Sequence, residues 1–526
     1  MKGNSLVSGW LRYCHQCVQA WLAVGQPQTP KTPPRAAQGE HPMQKVSNIS
    51  DLRLLFHRNE RPIYFISATN FNLLGIDQWV NRFKYINYID CFDGRHPNVF
   101  VPPQLPHEEF QSIEDINNYL LQHKDVVDYV ERAGGRPVAV FLMFDAETER
   151  LCEELGIEVW FPSAALRERC DNKMETVRIG NKAGVPSVPN ALCKVGSHAH
   201  LREIAAAHGL GEQLVVQTAF GDSGHTTFFI SSEADFERHA EEIIRDPEVK
   251  IMKRINCRGA TLEACATRSG TLVGPLLTEV VGEAELTPYR GGWCGNEIFP
   301  GAFSEEVRAK ARDMAYRFGN QLMAEGYRGY FDLDFLIDKD TDEVYLGELN
   351  PRICGASPMT NHAAFAYADV PLFLFHLLEF SGIEFELDVE ELNARWANPA
   401  FIDSWSQLVI KHTANNVDII THAPATGIYR MADDGSVSYH RFDYKRQDIE
   451  SENEAFFLRI SGPGDYRYEG ADLGILITRG RSMTDDFALN ERARHWIAGI
   501  KKYYAAKPIM AVHDEQVPAP GAFKIL

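Results

Sequence analysis

Residues 329–358 read GYFDLDFLIDKDTDEVYLGELNPRICGASP, and this stretch decides how the chain is understood. Positions 330–337 and 344–349 are β-branched, aromatic or aliphatic runs split by the turn-forming Lys339-Asp340-Thr341-Asp342-Glu343, which predicts an antiparallel hairpin. A turn centred on Thr341 sets Asp334 opposite Glu348 and Asp332 opposite Asn350. Side chains on a strand alternate faces, so Asp332, Asp334, Glu348 and Asn350 share one face, while Phe331, Leu333, Phe335 and Leu349 take the other. Cross-strand β-carbons lie only about 5 Å apart, so like charges on that face repel unless a cation sits between them. Mg²⁺ meets that need, because it takes hard oxygen ligands, often only one or two carboxylates, and completes its octahedron with water and phosphate oxygens. Arg352 follows two residues after Asn350, and a guanidinium suits bidentate contact with phosphoryl oxygens. Taken by itself the segment reads more simply as a solvated acidic hairpin face; other motifs of the chain weigh against that.

One of them lies upstream. A strand ending near Thr218 and another beginning near Thr226 enclose Gly221-Asp222-Ser223-Gly224. Glycines let successive backbone N–H groups turn toward one point as an anion nest, and Ser223, Thr226 and Thr227 would add hydroxyl donors. Loops of this composition are also ordinary hairpin turns, and what gives this one weight is its place ahead of the acidic hairpin.

The pattern Asp334, Glu348-x-Asn350-x-Arg352 resembles the last strands of the nucleotide site in the ATP-grasp superfamily. Most members of that superfamily activate a carboxylate with ATP as an acyl phosphate and join it to an amine or similar nucleophile. The resemblance continues in order upstream. Asn172-Lys173 with Gly184-Val185-Pro186-Ser187-Val188-Pro189 is similar to the family's first helix and the strand after it, and Leu214-Val215-Val216-Gln217 followed by 221–227 is similar to its glycine-rich lid hairpin. Together these cover about residues 165–382.

The resemblance implies ATP and Mg²⁺ as cofactors, with Mn²⁺ as a substitute. It implies Asp334, Glu348 and Asn350 as metal ligands, and Lys173, Gln217, Gly221, Ser223, Gly224, Thr226 and Lys253 as nucleotide contacts. Arg352 would stabilise the transferred phosphoryl group, and Asp332 would touch substrate or support the metal ligands. Lys173 reads equally well as a surface lysine. Two positions depart from the family pattern: the lysine usual on the strand leading into the lid is Gln217, and the hinge strand beside the adenine, usually acidic, is the basic run 250–255. Between Thr287 and Phe299 lies TPYRGGWCGNEIF, a glycine-rich stretch in which Arg290 and Glu297 flank Trp293. Such loops are often functional, and Arg290 is a catalytic candidate that would hold a substrate carboxylate. Glu263 resembles an acidic position that faces the site in some relatives.

With 526 residues, 44% hydrophobic and 24% charged, the chain has room for three domains with sizeable cores. Its net charge of −19 argues against nucleic acid or an anionic membrane as the main partner. No apolar run reaches the roughly 18 residues a transmembrane helix needs. Ten scattered cysteines suggest a reducing cytoplasm, and Cys14-His15-Gln16-Cys17 is a lone CxxC without a second pair. Residues 1–45 are expected to form a disordered extension and linker, rich in Pro and Gln over 26–41, with Met43 a second candidate start of translation.

The expected fold class is α/β and α+β in three parts. Over 46–165, strand-like 63–67, 84–89, 138–142 and 158–161 alternate with helical 112–132 and 146–155, an open α/β domain of the kind that precedes an ATP-grasp module. Residues 67–72 follow the first strand, where open α/β sheets tend to bind ligands, although a plain connecting loop is the simpler reading. Residues 166–382 form the ATP-grasp fold, with a lid over about 190–250 and a core-facing helix over 304–326. Residues 383–526 form a β-rich domain with strands at 407–412, 425–430, 437–441, 455–460 and 473–478 and a helix over 486–504. It would close over the site or build a homodimer.

The function that follows from the resemblance is an ATP-dependent ligase acting on small-molecule carboxylate and amine substrates, amino acids or short peptides among them. Two alternatives stay open. A biotin carboxylase would share the fold, but those enzymes carry a glutamate and a histidine where Ala356 and Ser357 precede Pro358. A non-catalytic nucleotide-binding module is the other, motivated by Gln217 and the basic hinge strand.

Overall fold

A computed structural model describes residues 45–221, 226–362 and 369–509. The expectations for residues 1–44, including the CxxC pair and Met43, and for Ser223 and Gly224, lie outside the described residues.

The acidic hairpin forms in the expected register. Gly329–Asp338 pairs antiparallel with Val344–Asn350, with Asp334 opposite Glu348 and Asp332 opposite Asn350. Beyond the site a β-bulge shifts the ladder so that Phe335 faces Leu346, which leaves Gly347 without a partner of its own. A Cβ on Gly347 would lie 2.9 Å from the carbonyl oxygen of Asp334, so the bulge needs a glycine there.

Two neighbours hold this hairpin. On one edge Cys257–Thr267 pairs with it, placing Thr261 beside Asp334 and Glu263 beside Asp332. Against its apolar face lies the helix Glu305–Ala324, capped by Ser304, whose side chain accepts from the Val307 N–H. Val307, Ala311, Met314, Ala315, Phe318 and Leu322 bury along that helix, against a face carrying the fully buried Phe331, Leu333, Phe335 and Leu349. Each such side chain contributes roughly 1.5–3 kcal/mol of burial, so the hydrophobic face anchors the charged one.

The hairpin begins one edge of a ten-stranded sheet. The order runs Val344–Asn350, Gly329–Asp338, Cys257–Thr267, Gly270–Val281, Trp293–Ile298, Trp405–Lys411, Asp472–Arg479, Glu454–Arg459, Gly427–Met431 and Val437–Arg441. The expected C-terminal strands therefore continue the sheet of the hairpin, joined where Trp293–Ile298 pairs with Trp405–Lys411. Asp418–His422, Tyr466–Arg467 and Ala505–Pro508 form a small further sheet that the sequence pattern did not reveal.

Ahead of these, five parallel strands lie in the order Val99–Phe100, Phe83–Asn87, Ile63–Ser67, Val138–Phe141 and Glu158–Val159. The single helix expected over 112–132 is two, Ile113–Gln122 and Lys124–Ala133. His123 breaks it by taking an extended backbone and capping the second helix, its ring accepting from the Asp125 N–H. The lid is a four-stranded sheet, Asn190–Cys193, Val249–Lys253, Leu214–Gln217 and Thr227–Ile230, with its own apolar core. No helix among the described residues is long and apolar enough to cross a membrane.

Gly329 starts the hairpin at φ +94°, and a Cβ there would come within 2.5 Å of the His376 ring. That ring accepts the Tyr330 N–H at 3.0 Å and its other nitrogen donates to the Trp160 carbonyl at 2.8 Å, tying the hairpin to the N-terminal sheet. Gly329→Ala is therefore expected to lower stability by about 3 kcal/mol, read by denaturant unfolding. A loss under about 0.5 kcal/mol, the range of an ordinary surface change, would show that the junction is not constrained.

Candidate active site

The polar face of the hairpin opens on a cavity of about 440 Å³ lined by Asp332, Asp334, Glu348, Asn350 and Arg352. The predicted metal ligands and Arg352, one of the two arginines predicted to be catalytic, thus converge on one space. Asn350 donates to Asp332 and Asp334, both at 3.1 Å, and its carbonyl oxygen accepts from Arg352 at 3.0 Å.

A fourth carboxylate joins them. Glu279, from the strand Gly270–Val281, lines the same cavity and shares the Thr261 hydroxyl with Asp334, at 2.9 and 3.2 Å. A Cβ on Gly259 would lie 1.9 Å from the Glu279 carboxylate, so the bare backbone of Gly259 is what lets that side chain fold across. A hydroxyl has one hydrogen, so one of the two acids is left without its donor. Burial, then the neighbouring acids, pushes the Asp332 and Asp334 carboxyls well above the usual range, and burial raises Glu279. The buried Oδ1 of Asp332 has no hydrogen-bond partner. This is a set of hard oxygen donors short of positive charge, which fits a magnesium ion. Among the described residues no three His, Cys, Asp or Glu side chains form a ready-made chelate; Mg²⁺, needing one or two carboxylates, does not require one.

Cations come from other elements of the chain. Asn172 caps the helix Lys173–Ala183, putting Lys173 at its first position, 4% exposed. An ammonium there opposes the helix dipole, and its pairing with Glu348 at 2.7 Å offsets that cost. Lys173 also donates to the Gly221 carbonyl at 2.9 Å, linking the lid loop to the hairpin. It is buried, not a surface lysine. Lys250 lines the cavity, and burial lowers its ammonium to about 8.

The other predicted residues divide. Gln217 and Gly221 line the cavity. Gly221, at φ +145°, leaves room for the Thr226 side chain, which a Cβ would meet at 2.2 Å. Lys253 is exposed and outside the lining, because alternation along Val249–Lys253 turns Lys250 and Met252 toward the cavity and Lys253 away. Arg290 is likewise exposed and outside the lining, whereas its neighbours Gly291 and Trp293 belong to it. Glu297 is fully buried and accepts from Ser406 at 3.0 Å and from the Met483 N–H at 3.0 Å, a structural anchor. Glu263 is also fully buried, behind the cavity wall. It accepts from Ser357 at 2.5 Å, Tyr330 at 2.7 Å and Cys354 at 3.1 Å.

Besides Glu279, sequence reasoning missed Leu142 and Met143, while Asn72 ends the 67–72 segment noted as a place where such sheets bind ligands but read as a plain loop. Asn72, Leu142 and Met143 line the cavity from loops that follow the strands Ile63–Ser67 and Val138–Phe141. These strands lie side by side where the order of the parallel sheet reverses, the place where open α/β sheets receive ligands. Asn72 donates to the Cys354 carbonyl at 3.0 Å, so the loop read as a plain connection touches the turn after the hairpin.

Crowded acids make a site that is under tension when empty. Asp334→Asn, which keeps shape and removes one charge, is expected to raise the unfolding free energy of the ligand-free protein by up to about 1 kcal/mol. A lower thermal midpoint in that variant would contradict the repulsion.

No protein-family model matches the chain. Among curated proteins, it is 26% identical over 255 residues to the mitochondrial methylcrotonoyl-CoA carboxylase subunit alpha of Dictyostelium discoideum, spanning 46% of this chain and 35% of that protein. It is 24% identical over 268 residues to biotin carboxylase 1 of Bacillus subtilis, spanning 49% of this chain and 56% of that one. The chain therefore spans between about a third and somewhat over half of these relatives. Among solved structures it is similar to the biotin carboxylase domain dimer of Hydrogenobacter thermophilus 2-oxoglutarate carboxylase, in complex with MgADP, ADP and bicarbonate. The TM-score is 0.56 at 12% identity, over 85% of this chain and 91% of that one. The motif, the strand register that realises it and these likenesses agree with the resemblance to the ATP-grasp superfamily, and the solved structure shares its fold.

Proposed function

We propose that the chain is an ATP-dependent ligase that activates a carboxylate and joins it to an amine. The observation that carries this reading is the cross-strand opposition of Asp334 and Glu348, with Asn350 and Arg352 lining the same cavity and Lys173 paired with Glu348. ATP is consumed as a co-substrate between the lid hairpin and the acidic hairpin. Asp334, Glu348 and Asn350 would hold Mg²⁺, which would supply positive charge to neutralise that developing on the transferred group. The MgADP bound to the Hydrogenobacter domain supports that assignment.

The chain's own groups have separable tasks. Lys173 sets the position of Glu348 and the lid loop together. Arg352, buried against Asn350, orients the phosphoryl group and stabilises its charge while an oxygen of the substrate carboxylate attacks the γ-phosphorus and ADP departs. An amine then displaces phosphate from the acyl phosphate, leaving an amide. The wall formed by Ile113, Leu142, Met143 and Trp293 is largely apolar and supports an acceptor with an apolar part, as some amino acids have. It also excludes water that would hydrolyse the intermediate.

A carboxylase working on bicarbonate is the second reading, favoured by the relatives' names. Against it, Ala356 lines the cavity and the Ser357 hydroxyl is committed to Glu263, so the glutamate and histidine of those enzymes have no counterpart at this turn. A homodimer is proposed from the dimer of the Hydrogenobacter domain.

ADP release decides between the two. Purified protein with Mg²⁺-ATP is expected to release ADP with pooled amino acids, giving a product lighter than its parts by one water. Glu348→Gln should lower the rate at least a hundredfold, as losing a group that stabilises the transferred charge typically does. Release that needs bicarbonate and biotin instead would establish the carboxylase.

A further inference from the structure

We propose that Lys250 contacts the nucleotide phosphates, supplying from the neighbouring strand the charge that Gln217 lacks; this rests on the nucleotide reading above. In the lid sheet Leu214–Gln217 pairs antiparallel with Val249–Lys253, and Gln217 stands directly opposite Lys250. Directly opposed residues project from the same face of a sheet. Gln217, Lys250 and Met252 accordingly all line the cavity, while Ile251, between them, packs in the lid core. The lysine is one strand away from the position where the family pattern places it, and on the same wall.

Its bonding points the same way. Lys250 is 1% exposed, yet its ammonium makes one hydrogen bond, to the Gly347 carbonyl at 3.2 Å, and no ion pair among the described residues. Gly347 is the bulge residue of the acidic hairpin, so its position out of step with the ladder marks the place where Lys250 meets the hairpin. An ammonium carries three donors, and a buried cation without a counter-ion is costly. Lys173, by contrast, is neutralised by Glu348. Lys250 is thus a buried lysine lining this cavity that makes no direct ion pair among the described residues, although it feels the charge of Glu348, the carboxylate expected to hold the metal. A polyphosphate laid between lid and hairpin would pair with this ammonium. A lysine that merely braces the bulge would need neither the cavity nor the charge.

Calorimetric titration with ADP and with adenosine, in magnesium-free buffer, separates these roles. Lys250→Met is expected to weaken ADP about tenfold or more and to leave adenosine within about threefold of wild type. The double variant Gln217→Lys/Lys250→Met, which puts the charge back on the opposite strand, is expected to recover most of the ADP affinity. An unchanged ADP affinity in Lys250→Met, or an equal loss of ADP and adenosine, would overturn the assignment. Should Lys250→Met not fold, Gln217→Lys/Lys250→Gln carries the test: ADP preferred over adenosine as in wild type supports the proposal, and loss of that preference overturns it. Failure of the wild type to bind ADP would overturn the nucleotide reading itself, whereas ADP binding that Lys250→Met leaves intact overturns only the role of Lys250.

Discussion

Everything in this molecule's centre depends on two carboxylates facing each other across one rung of a β-hairpin. Asp334 and Glu348 are held there by register, and register is held by what lies on the reverse of the same strands. Phe331, Leu333, Phe335 and Leu349 are fully buried against the helix Glu305–Ala324, so a one-residue slip would bring the acids into the core and the phenylalanines into the cavity. The apolar face thereby fixes an arrangement that its polar face resists. Glu279 and Asp332 add to the crowding, and burial first, then the neighbouring acids, raises the Asp332, Asp334 and Glu279 carboxyls.

The counter-charges come from elements remote in sequence, which makes the cavity a meeting point and not a local motif. Lys173 comes from a helix start, Arg352 from the turn after the hairpin, and Lys250 from the lid sheet. The bulge at Gly347 belongs to the same logic, since it falls where Lys250 donates to the hairpin backbone. Lid and hairpin are thus linked twice, directly by Lys250 to Gly347 and through Lys173, which bonds both Gly221 and Glu348.

The sequence was legible where geometry is local. Period-two alternation and a turn centred on Thr341 were enough to pair Asp334 with Glu348, and the lid strands around Gln217 followed from the same rule. It was illegible where contacts depend on strand order. Glu279 reaches Asp334 because its strand lies two places from the hairpin and because Gly259 lacks a side chain, and neither follows from the residues around Glu279. Asn72, Leu142 and Met143 meet only because two strands distant in sequence are neighbours. Lys253 was singled out on this strand, whereas alternation turns Lys250 toward the cavity and leaves Lys253 exposed. The C-terminal strands were recognised individually, while their continuity with the central sheet rests on the pairing of Trp293–Ile298 with Trp405–Lys411.

The central claim is that the opposed carboxylates form a magnesium–nucleotide site. It is tested most directly by the dissociation constant of ADP measured against free Mg²⁺, in the wild type and in Asp334→Asn. Tightening with Mg²⁺ in the wild type that is lost in Asp334→Asn is the predicted result. Equal magnesium dependence in both proteins, or none in the wild type, would contradict the account.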